Sequence, residues 1–314
     1  MSEKFVTLEQ AQTFLDEKFA VNADDVTLVG EGAWSRCFGF RKTGNDIDDD
    51  LVIRFGKYVD DFENDKRAYQ YATPTLPIPK VLEIGAAFDG YYAISTRVYG
   101  EPLESVHTEQ WRTIVPSLVA AMETMRTVDL SHSKGIGGWG RDGNAPCATW
   151  SEHVLGVDND TPSHRTYGWR NKMRMYSPAG EEAFIWGYRR LEEFVRDDIP
   201  RSLLHNDLIN RNALVEGDKL SGIFDWGCSI YGDHLYELAW FEFWEPWMTN
   251  LDVPYLRAEL EQQWQSVGYR PENQEQRLKV CYLHIGLDHL AYNSYIDDWE
   301  TLLMTAEQMK RLCE

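Results

Sequence analysis

The sequence contains no apolar run that approaches the roughly 20 residues needed to cross a membrane. Its amino terminus lacks both a basic segment and an apolar core, so we predict no secretory signal peptide. The five cysteines stand far apart and include no Cys-x-x-Cys pair, which argues against a zinc site and is typical of reduced thiols. Together these absences favour a cytoplasmic protein without a membrane partner.

Basic residues are also scarce, because 31 Lys and Arg face 51 Asp and Glu, which gives a formal net charge of -20. A charge of this sign repels nucleic acid and attracts polycations, so it favours a cationic small-molecule substrate. The same charge is equally typical of a solubility or salt adaptation. With 314 residues, 43% of them hydrophobic, the chain is long enough for two lobes with separate cores. We expect a monomer that binds no nucleic acid.

The segment 203–226, LLHNDLINRNALVEGDKLSGIFDW, alternates short apolar runs with polar residues. Apolar runs this short, interrupted by a turn that contains Gly and Asp, predict strands that frame a loop. We therefore expect Asp207, Asn212 and Asp225 to converge at one end of a small hairpin.

These three side chains suit phosphoryl transfer from a nucleotide. Such a reaction needs a carboxylate to orient the attacking hydroxyl and accept its proton, and oxygen ligands to hold Mg2+. His205 two residues before Asp207, and Asn212 five residues after it, match the spacing of a kinase catalytic loop. We predict Asp207 as the catalytic base, Asn212 and Asp225 as metal ligands, and His205 as a structural brace.

In place of the Asp-Phe-Gly of protein kinases, residues 224–227 read FDWG and resemble the aminoglycoside phosphotransferase family. The resemblance extends from about Phe14 to about Tyr292. It implies an α+β, protein-kinase-like fold with two lobes. The small, β-rich N-terminal lobe would contain residues 1–98, and the larger, mainly helical C-terminal lobe residues 99–314.

The resemblance also implies the activity. The γ-phosphate of ATP or GTP would pass, with Mg2+ present, to a hydroxyl of a cationic aminocyclitol antibiotic, with hygromycin B as the first candidate, and would confer resistance. Two alternatives stay open. One is a kinase of the same fold that acts on a macrolide, choline or a sugar. The other is a catalytically silent binding protein, although the presence of Asp207, Asn212 and Asp225 argues against it.

Two short strands, Val26 to Val29 and Arg36 to Phe40, flank the glycines Gly30 and Gly32. Glycine lets a backbone approach a phosphate and point its N–H groups at it. Because this glycine turn precedes the catalytic loop in the chain, we expect it to form a lid over the nucleotide phosphates, with Ser35 as a hydroxyl donor.

Arg54 lies in a predicted third strand, Leu51 to Phe55, at the position where kinases carry the lysine that grips the nucleotide phosphates. Asp65 lies in the following helix, where the partner glutamate is expected. We predict a pair that binds phosphate, with a surface ion pair as the alternative. By resemblance, the next strand ends at the hinge, where the backbone of Ser95 to Arg97 meets the adenine.

The remaining sequence predicts helices over residues 107–128, kinked or split at Pro116, and over 149–155, 181–195, 255–267, 273–296 and 299–312, with residues 158–178 irregular. By resemblance, Asp233 and Glu237 are structural. Asp129, Trp244 and Trp247 match residues that contact the antibiotic. For Asp129 a simple helix-end position is equally compatible, and for the two tryptophans a place in the core. Asp288, beside His289, is expected at the pocket floor or in solvent.

Overall fold

The structure is a computed structural model that describes residues 6–20, 25–32, 34–43 and 48–314. Its chain divides into two units. One contains Met1–Val106 and Leu208–Cys228, and the other contains His107–Asp207 and Ser229–Glu314. The segment that carries the predicted catalytic and metal-binding residues therefore passes from the second unit into the first directly after Asp207.

In chain order the strands are β1 (Thr27–Glu31), β2 (Ser35–Thr43), β3 (Asp48–Gly56), β4 (Val81–Ala87), β5 (Gly90–Thr96), β6 (Glu101–Pro102), β7 (Gly137–Gly138), β8 (Ser202–Leu204), β9 (Ala213–Glu216), β10 (Lys219–Ile223) and β11 (Ile230–Gly232). The helices are α1 (Leu8–Phe19), α2 (Val59–Ala68), α3 (Thr108–Thr127), α4 (Trp150–Leu155), α5 (Trp169–Tyr176), α6 (Pro178–Phe194), α7 (Leu235–Trp244), α8 (Val253–Ser266), α9 (Gln274–Tyr295) and α10 (Trp299–Cys313). This combination confirms the predicted α+β class.

The first unit is built on an antiparallel sheet in the order β1-β2-β3-β5-β4. Alternate residues of its central strands point to one face, where Phe38 and Phe40 of β2 and Ile53 of β3 pack against Ala11 and Leu15 of α1. A smaller sheet, in the order β10-β9-β6, contains the hairpin predicted over 213–223. Gly217 closes that hairpin at a φ of 64°, which is favourable only for glycine and a few polar residues.

The second unit is mainly helical, with one small sheet in the order β7-β11-β8. Its longest helix is α9, in which Leu283, Ile285 and Leu287 have no exposed surface. The ends of the predicted long helices agree with the structure to within about three residues. In the described ranges no helix is both long enough and apolar enough to span a bilayer.

Helix α3 continues through Pro116, so of the two predicted alternatives, a kink or a split, the split is excluded. One prediction of irregular structure was wrong. Residues 158–178 are not wholly irregular, because α5 forms within them and buries Trp169 and Met173, one turn apart on the same face. The burial of this short apolar stripe outweighs the polar composition that predicted a loop.

A buried ion pair joins the start of α7 to α9. Asp233 has no exposed surface, and it accepts N–H groups from Arg277 at 2.7 Å (Nε) and 2.5 Å (Nη2). The backbone N–H of Leu235 donates to the same carboxylate at 3.0 Å. Asp233 is therefore structural, as the sequence predicted.

We expect Arg277→Ala to lower the free energy of unfolding by roughly 3–5 kcal/mol, because it leaves the Asp233 carboxylate charged and unpaired in the interior. The measurement is urea denaturation at neutral pH. Arg174→Ala is the matched control, since Arg174 is 62% exposed and pairs with Glu181 at 3.1 Å on the surface. That variant should lose less than about 1 kcal/mol. Similar losses in both variants would contradict a structural role for the buried pair.

Candidate active site

Arg54 lies on β3, opposite Cys37 of β2 and Ala93 of β5, in the interior of the first unit. Its guanidinium pairs with Asp65 through Nη2, and its Nη1 lies 3.2 Å from Oδ1 of Asp225. The structure thus brings the two predicted partners together, and it adds Asp225 to the pair. The ion pair is buried, so the alternative of a surface pair does not describe it.

The second oxygen of the Asp65 carboxylate, Oδ1, accepts the backbone N–H of Trp226 at 2.7 Å. Asp65 lies on α2, so this bond holds α2 against the residue that follows Asp225. Burial raises the pKa of Asp65 to about 6, while the attraction of Arg54 acts in the opposite direction. The ion pair with Arg54 favours the ionised form of Asp65. Burial disfavours the charge of Arg54, but the attraction of Asp65 and Asp225 outweighs it, and its pKa lies above the ordinary value.

A cavity of about 540 Å³ opens beside Arg54 within the first unit. Part of its wall is apolar, with Val52, Ile78 and Val81 among the lining residues. Its lining also includes all the residues predicted to bind nucleotide or metal: Gly30, Gly32, Ser35, Arg54, Asp65, Ser95, Arg97, Asn212 and Asp225. A cavity of several hundred Å³ with apolar walls and a few charged groups is typical of a small-molecule site.

The predicted phosphate lid lies at the turn between β1 and β2, of which Ala33 is outside the described residues. Gly32 donates its N–H to the carbonyl of Ser35 at 2.9 Å. Neither Gly30 nor Gly32 adopts a positive φ, so the turn itself does not require glycine. A Cβ at Gly30 would meet no atom within 4 Å. The glycine therefore leaves free space through which a ligand can reach the backbone.

The predicted base-binding segment, Ser95 to Arg97, contains the last two residues of β5 and the residue that follows it. The backbone N–H of Arg97 donates to the carbonyl of Asp50 at 3.1 Å, and its Nη1 lies 3.4 Å from Oδ1 of Asp50. Its guanidinium also lies 4.7 Å from the ring centroid of Tyr99. Gly39 makes room for this side chain, because a Cβ there would be 2.6 Å from Nη1 of Arg97. The charge of Arg97 is thus already paired, and the contact of residues 95–97 with a base stays a prediction.

The catalytic stretch has a strained backbone. Of the eight non-glycine residues with positive φ in the described ranges, four lie in this stretch: Asn206 (66°), Asn210 (83°), Arg211 (65°) and Asp225 (64°). This region of φ is unfavourable for residues with a Cβ, and such strain concentrates at functional sites. Tertiary contacts must hold this conformation.

Asn212 and Asp225 lie on adjoining segments of the first unit. The backbone carbonyl of Asn212 accepts the N–H of Phe224 at 3.0 Å. Asn212 is 6% exposed, whereas the side chain of Asp225 is 43% exposed. One amide oxygen and one carboxylate oxygen fit Mg2+, which commonly takes few protein ligands and fills its octahedron with phosphate oxygens and waters.

Asp207 belongs to the second unit, where Glu237 holds the backbone that precedes it. Oε1 of Glu237 accepts the N–H of His205 at 2.5 Å and that of Asn206 at 2.9 Å. Glu237 is 2% exposed and lies in the first turn of α7. Its carboxylate therefore fixes the backbone immediately before Asp207, which agrees with the structural role predicted for it.

The residues predicted to contact a substrate all belong to the second unit. The rings of Trp244 and Trp247 are 5.4 Å apart, and Trp247 is 39% exposed. Trp244 is half-buried, so neither tryptophan is fully enclosed in the core. Asp129 is exposed after α3, where its carboxylate accepts the backbone N–H and the hydroxyl of Ser131 at 2.9 and 3.1 Å. A contact of these residues with a ligand stays a prediction.

Asp288 and Tyr292 lie one turn apart on α9, and the sequence reasoning did not consider Tyr292. Asp288 is exposed, yet the protein around it desolvates it and raises its pKa, with His289 acting in the opposite direction. The pKa of Tyr292 is raised by burial and, to a smaller extent, by the charges of Tyr295 and Asp207. Asp207 is thus close to this face of α9. Asp288 and Tyr292 are four residues apart, and this i, i+4 spacing is the feature of the sequence that could have identified Tyr292.

Burial raises the pKa of Glu237 from 4.5 to about 7, while the N–H groups of Asn206 and His205 act in the opposite direction. The folded state therefore keeps a proton that the unfolded state releases. We expect the stabilisation from that proton to be complete below pH 4.5 and to be lost as the pH rises through about 7, a change of roughly 3 kcal/mol. Urea denaturation of wild type and Glu237→Gln between pH 4 and 8 measures it.

The free-energy difference between wild type and Glu237→Gln should fall over this interval. Glu193→Gln makes the same chemical change on a side chain that is 58% exposed on α6, and its difference from wild type should stay constant. A constant difference for Glu237→Gln as well would show that this carboxyl does not bind a proton in the folded state.

The chain is similar to a family of known enzymes. The APH family of phosphotransferase enzymes matches residues 40–271. Hygromycin-B 4-O-kinase of Escherichia coli is 29% identical over 306 residues, which are 95% of this chain and 82% of that protein.

Solved structures agree. The crystal structure of aminoglycoside phosphotransferase APH(4)-Ia has a TM-score of 0.82 at 25% identity and covers 98% of both chains. A thermostable mutant of it, in ternary complex with AMP-PNP and hygromycin B, has a TM-score of 0.81 at 26% identity and covers 96% of this chain and 97% of that one. These matches confirm the kinase-like fold and the assignment to small-molecule kinases. The chain belongs to the APH phosphotransferase enzyme family.

Proposed function

We propose that this protein transfers the γ-phosphate of ATP to a hydroxyl of an aminocyclitol antibiotic, with hygromycin B as the first candidate, and so confers resistance. The substrate class is supported by the similarity to hygromycin-B 4-O-kinase over 95% of the chain. The proposed reaction consumes a nucleoside triphosphate, which supports a cytoplasmic location. The net charge of -20 supports a cationic partner and disfavours nucleic acid.

One observation carries the phosphate-binding part of this proposal: Arg54 is held between Asp65 and Asp225 at the wall of a 540 Å³ cavity. Two carboxylates keep the guanidinium charged and restrict its orientation. A fixed cation of this kind stabilises phosphate oxygens without reorganisation when charge develops on them.

Asp207 would orient the acceptor hydroxyl and take up its proton. Asn212 and Asp225 would hold Mg2+, which neutralises phosphate charge when it is bound. Phosphoryl transfer forms little covalent bonding with the protein, so the rate depends on position and charge. The strained backbone at Asn210, Arg211 and Asp225 supports this assignment, because it fixes the directions of the side chains around the site.

The acceptor would bind to the second unit beside Asp207. Asp288 supplies an exposed carboxylate, and Trp244 and Trp247 supply ring faces. Sugars stack on indole rings, and ammonium groups are attracted to both the rings and the carboxylate. Asp129 is a further candidate ligand for an ammonium group. We infer a monomer, since both parts of the reaction are assigned to one chain.

We expect Asp207→Asn to lower kcat by roughly 100-fold to 10,000-fold, because the amide cannot accept the hydroxyl proton. Nucleotide binding should be retained. The measurement is release of ADP from ATP with Mg2+, with and without hygromycin B, together with calorimetric titration of the nucleotide. Asp218→Asn, in the exposed turn between β9 and β10, is the matched control and should retain wild-type turnover.

Antibiotic-dependent turnover that survives in Asp207→Asn would remove Asp207 as the base. Wild-type turnover that ignores the antibiotic would retain the kinase and discard the substrate. A panel containing a macrolide, choline and sugars then identifies the acceptor.

We expect Asp288→Asn to raise the KM for hygromycin B about 10-fold, because a charged hydrogen bond to an ammonium group is replaced by a neutral one. The KM for ATP should not change. Steady-state kinetics at low and at physiological salt measure both constants, and the increase should be larger at low salt. An increase in the KM for ATP, or none in either constant, would show that Asp288 does not contact the acceptor.

A further inference from the structure

His289 has a fixed orientation on α9. Its Nδ1 lies 3.0 Å from the carbonyl oxygen of Ile285, one turn earlier in the same helix. A carbonyl can only accept a hydrogen bond, so Nδ1 carries the proton and donates it. This hydrogen bond restricts rotation of the imidazole. Burial also lowers the pKa of His289, with the charge of Asp288 acting in the opposite direction, which favours the neutral ring.

The imidazole of His289 packs against two tryptophans of α7. Its centroid is 4.7 Å from the ring of Trp244 at an interplanar angle of 65°, and 5.3 Å from the ring of Trp240 at 61°. Edge-to-face pairs at these distances are favourable because the positive edge of one ring meets the negative face of the other. The ring of His289 is therefore in direct contact with one of the two indoles proposed to bind the acceptor.

Trp244 has three further ring contacts. It also contacts Trp240 at 6.2 Å, Phe243 at 5.0 Å and Trp247 at 5.4 Å. All three belong to its own segment, residues 240–247. Among the ring contacts of Trp244 in the described residues, only the one with His289 comes from another helix. The ring contact from α9 therefore adds a restraint on the rotamer of Trp244 that the ring contacts within its own segment do not supply.

We propose that His289 is a positioning residue for the acceptor, which holds the indole of Trp244 in the orientation that forms one wall of the aminocyclitol subsite. This inference rests on the proposed function, because it requires an acceptor that contacts Trp244. His289 itself does not touch the reacting atoms. It connects α9, which carries Asp288, to the end of α7, so that the carboxylate and the indole keep a fixed separation.

The test is a double-mutant cycle in which His289→Ala, Trp244→Ala and the double variant are compared with wild type by steady-state kinetics. We expect His289→Ala to raise the KM for hygromycin B about 3-fold to 10-fold, with kcat and the KM for ATP within about 2-fold of wild type. In the Trp244→Ala background, the same substitution should change that KM by less than about 2-fold, because the indole it positions is gone.

Two conservative variants separate ring packing from direct hydrogen bonding to the substrate. His289→Phe keeps a ring against Trp244 and should restore most of the wild-type KM. His289→Gln keeps polar atoms but no ring and should behave like His289→Ala. The opposite order, with Gln active and Phe defective, would show a direct polar contact with the substrate and would overturn the positioning role.

His153→Ala is the matched control for loss of a buried imidazole in the same unit. His153 packs against Trp150 and His284, at 5.4 Å from each. Its loss should lower the melting temperature without changing the KM for hygromycin B. An equal rise in KM for His153→Ala, or additive effects of His289→Ala and Trp244→Ala, would refute the inference alone. A wild-type protein with no aminocyclitol-dependent turnover would refute the proposed function, and the inference with it.

Discussion

A buried cation between two carboxylates is the constraint on which the first unit depends. Removing Arg54 from water is unfavourable unless its charge is compensated, and Asp65 and Asp225 compensate it from two different segments of the chain. The guanidinium has two edges that pair with two acids at once, whereas a lysine ammonium is a single point of charge. The exchange of the usual Lys and Glu for Arg and Asp is therefore physically consistent, because the longer base and the shorter acid still form the ion pair. Because each group stabilises the others, none of the three can be replaced alone at low cost.

The cluster of Arg54, Asp65 and Asp225 also fixes the backbone around it. Asp65 accepts the N–H of Trp226, so α2, β3 and the turn at Asp225 are held by one carboxylate and one guanidinium. Asp225 has a φ of 64°, which an isolated peptide would rarely adopt. The ion pair between Asp225 and Arg54 therefore stabilises both the unfavourable φ of Asp225 and the buried charge of Arg54. The predicted metal ligands, Asn212 and Asp225, line the cavity beside this ion pair.

Helix α7 has the corresponding role in the second unit. Its first turn carries Glu237, which holds the backbone before Asp207, and its last residue is Trp244. These two residues are seven positions apart, so they lie on nearly the same face, separated by roughly 10 Å along the helix axis. The buried pair of Asp233 and Arg277 fixes the start of this helix against α9. One rigid helix therefore sets the distance between the proposed base and the proposed indole wall, while α9 adds Asp288 and His289.

Sequence alone determined the kinase-like character of the chain, because spacing is a one-dimensional property. The kinase-like features can be identified without coordinates: the order of Asp207, Asn212 and Asp225, the FDWG at 224–227, and the glycines at 30 and 32. Most helices can be identified too, because their apolar periodicity is a local property of the sequence. The prediction of irregular structure failed where a tertiary contact outweighs local composition, because α5 forms in a polar segment in which Trp169 and Met173 are buried. Only the tertiary structure decided that Asp225 joins the predicted pair of Arg54 and Asp65, and that His289 contacts Trp244. Such contacts join residues far apart in the chain, and no local pattern encodes the distance between them.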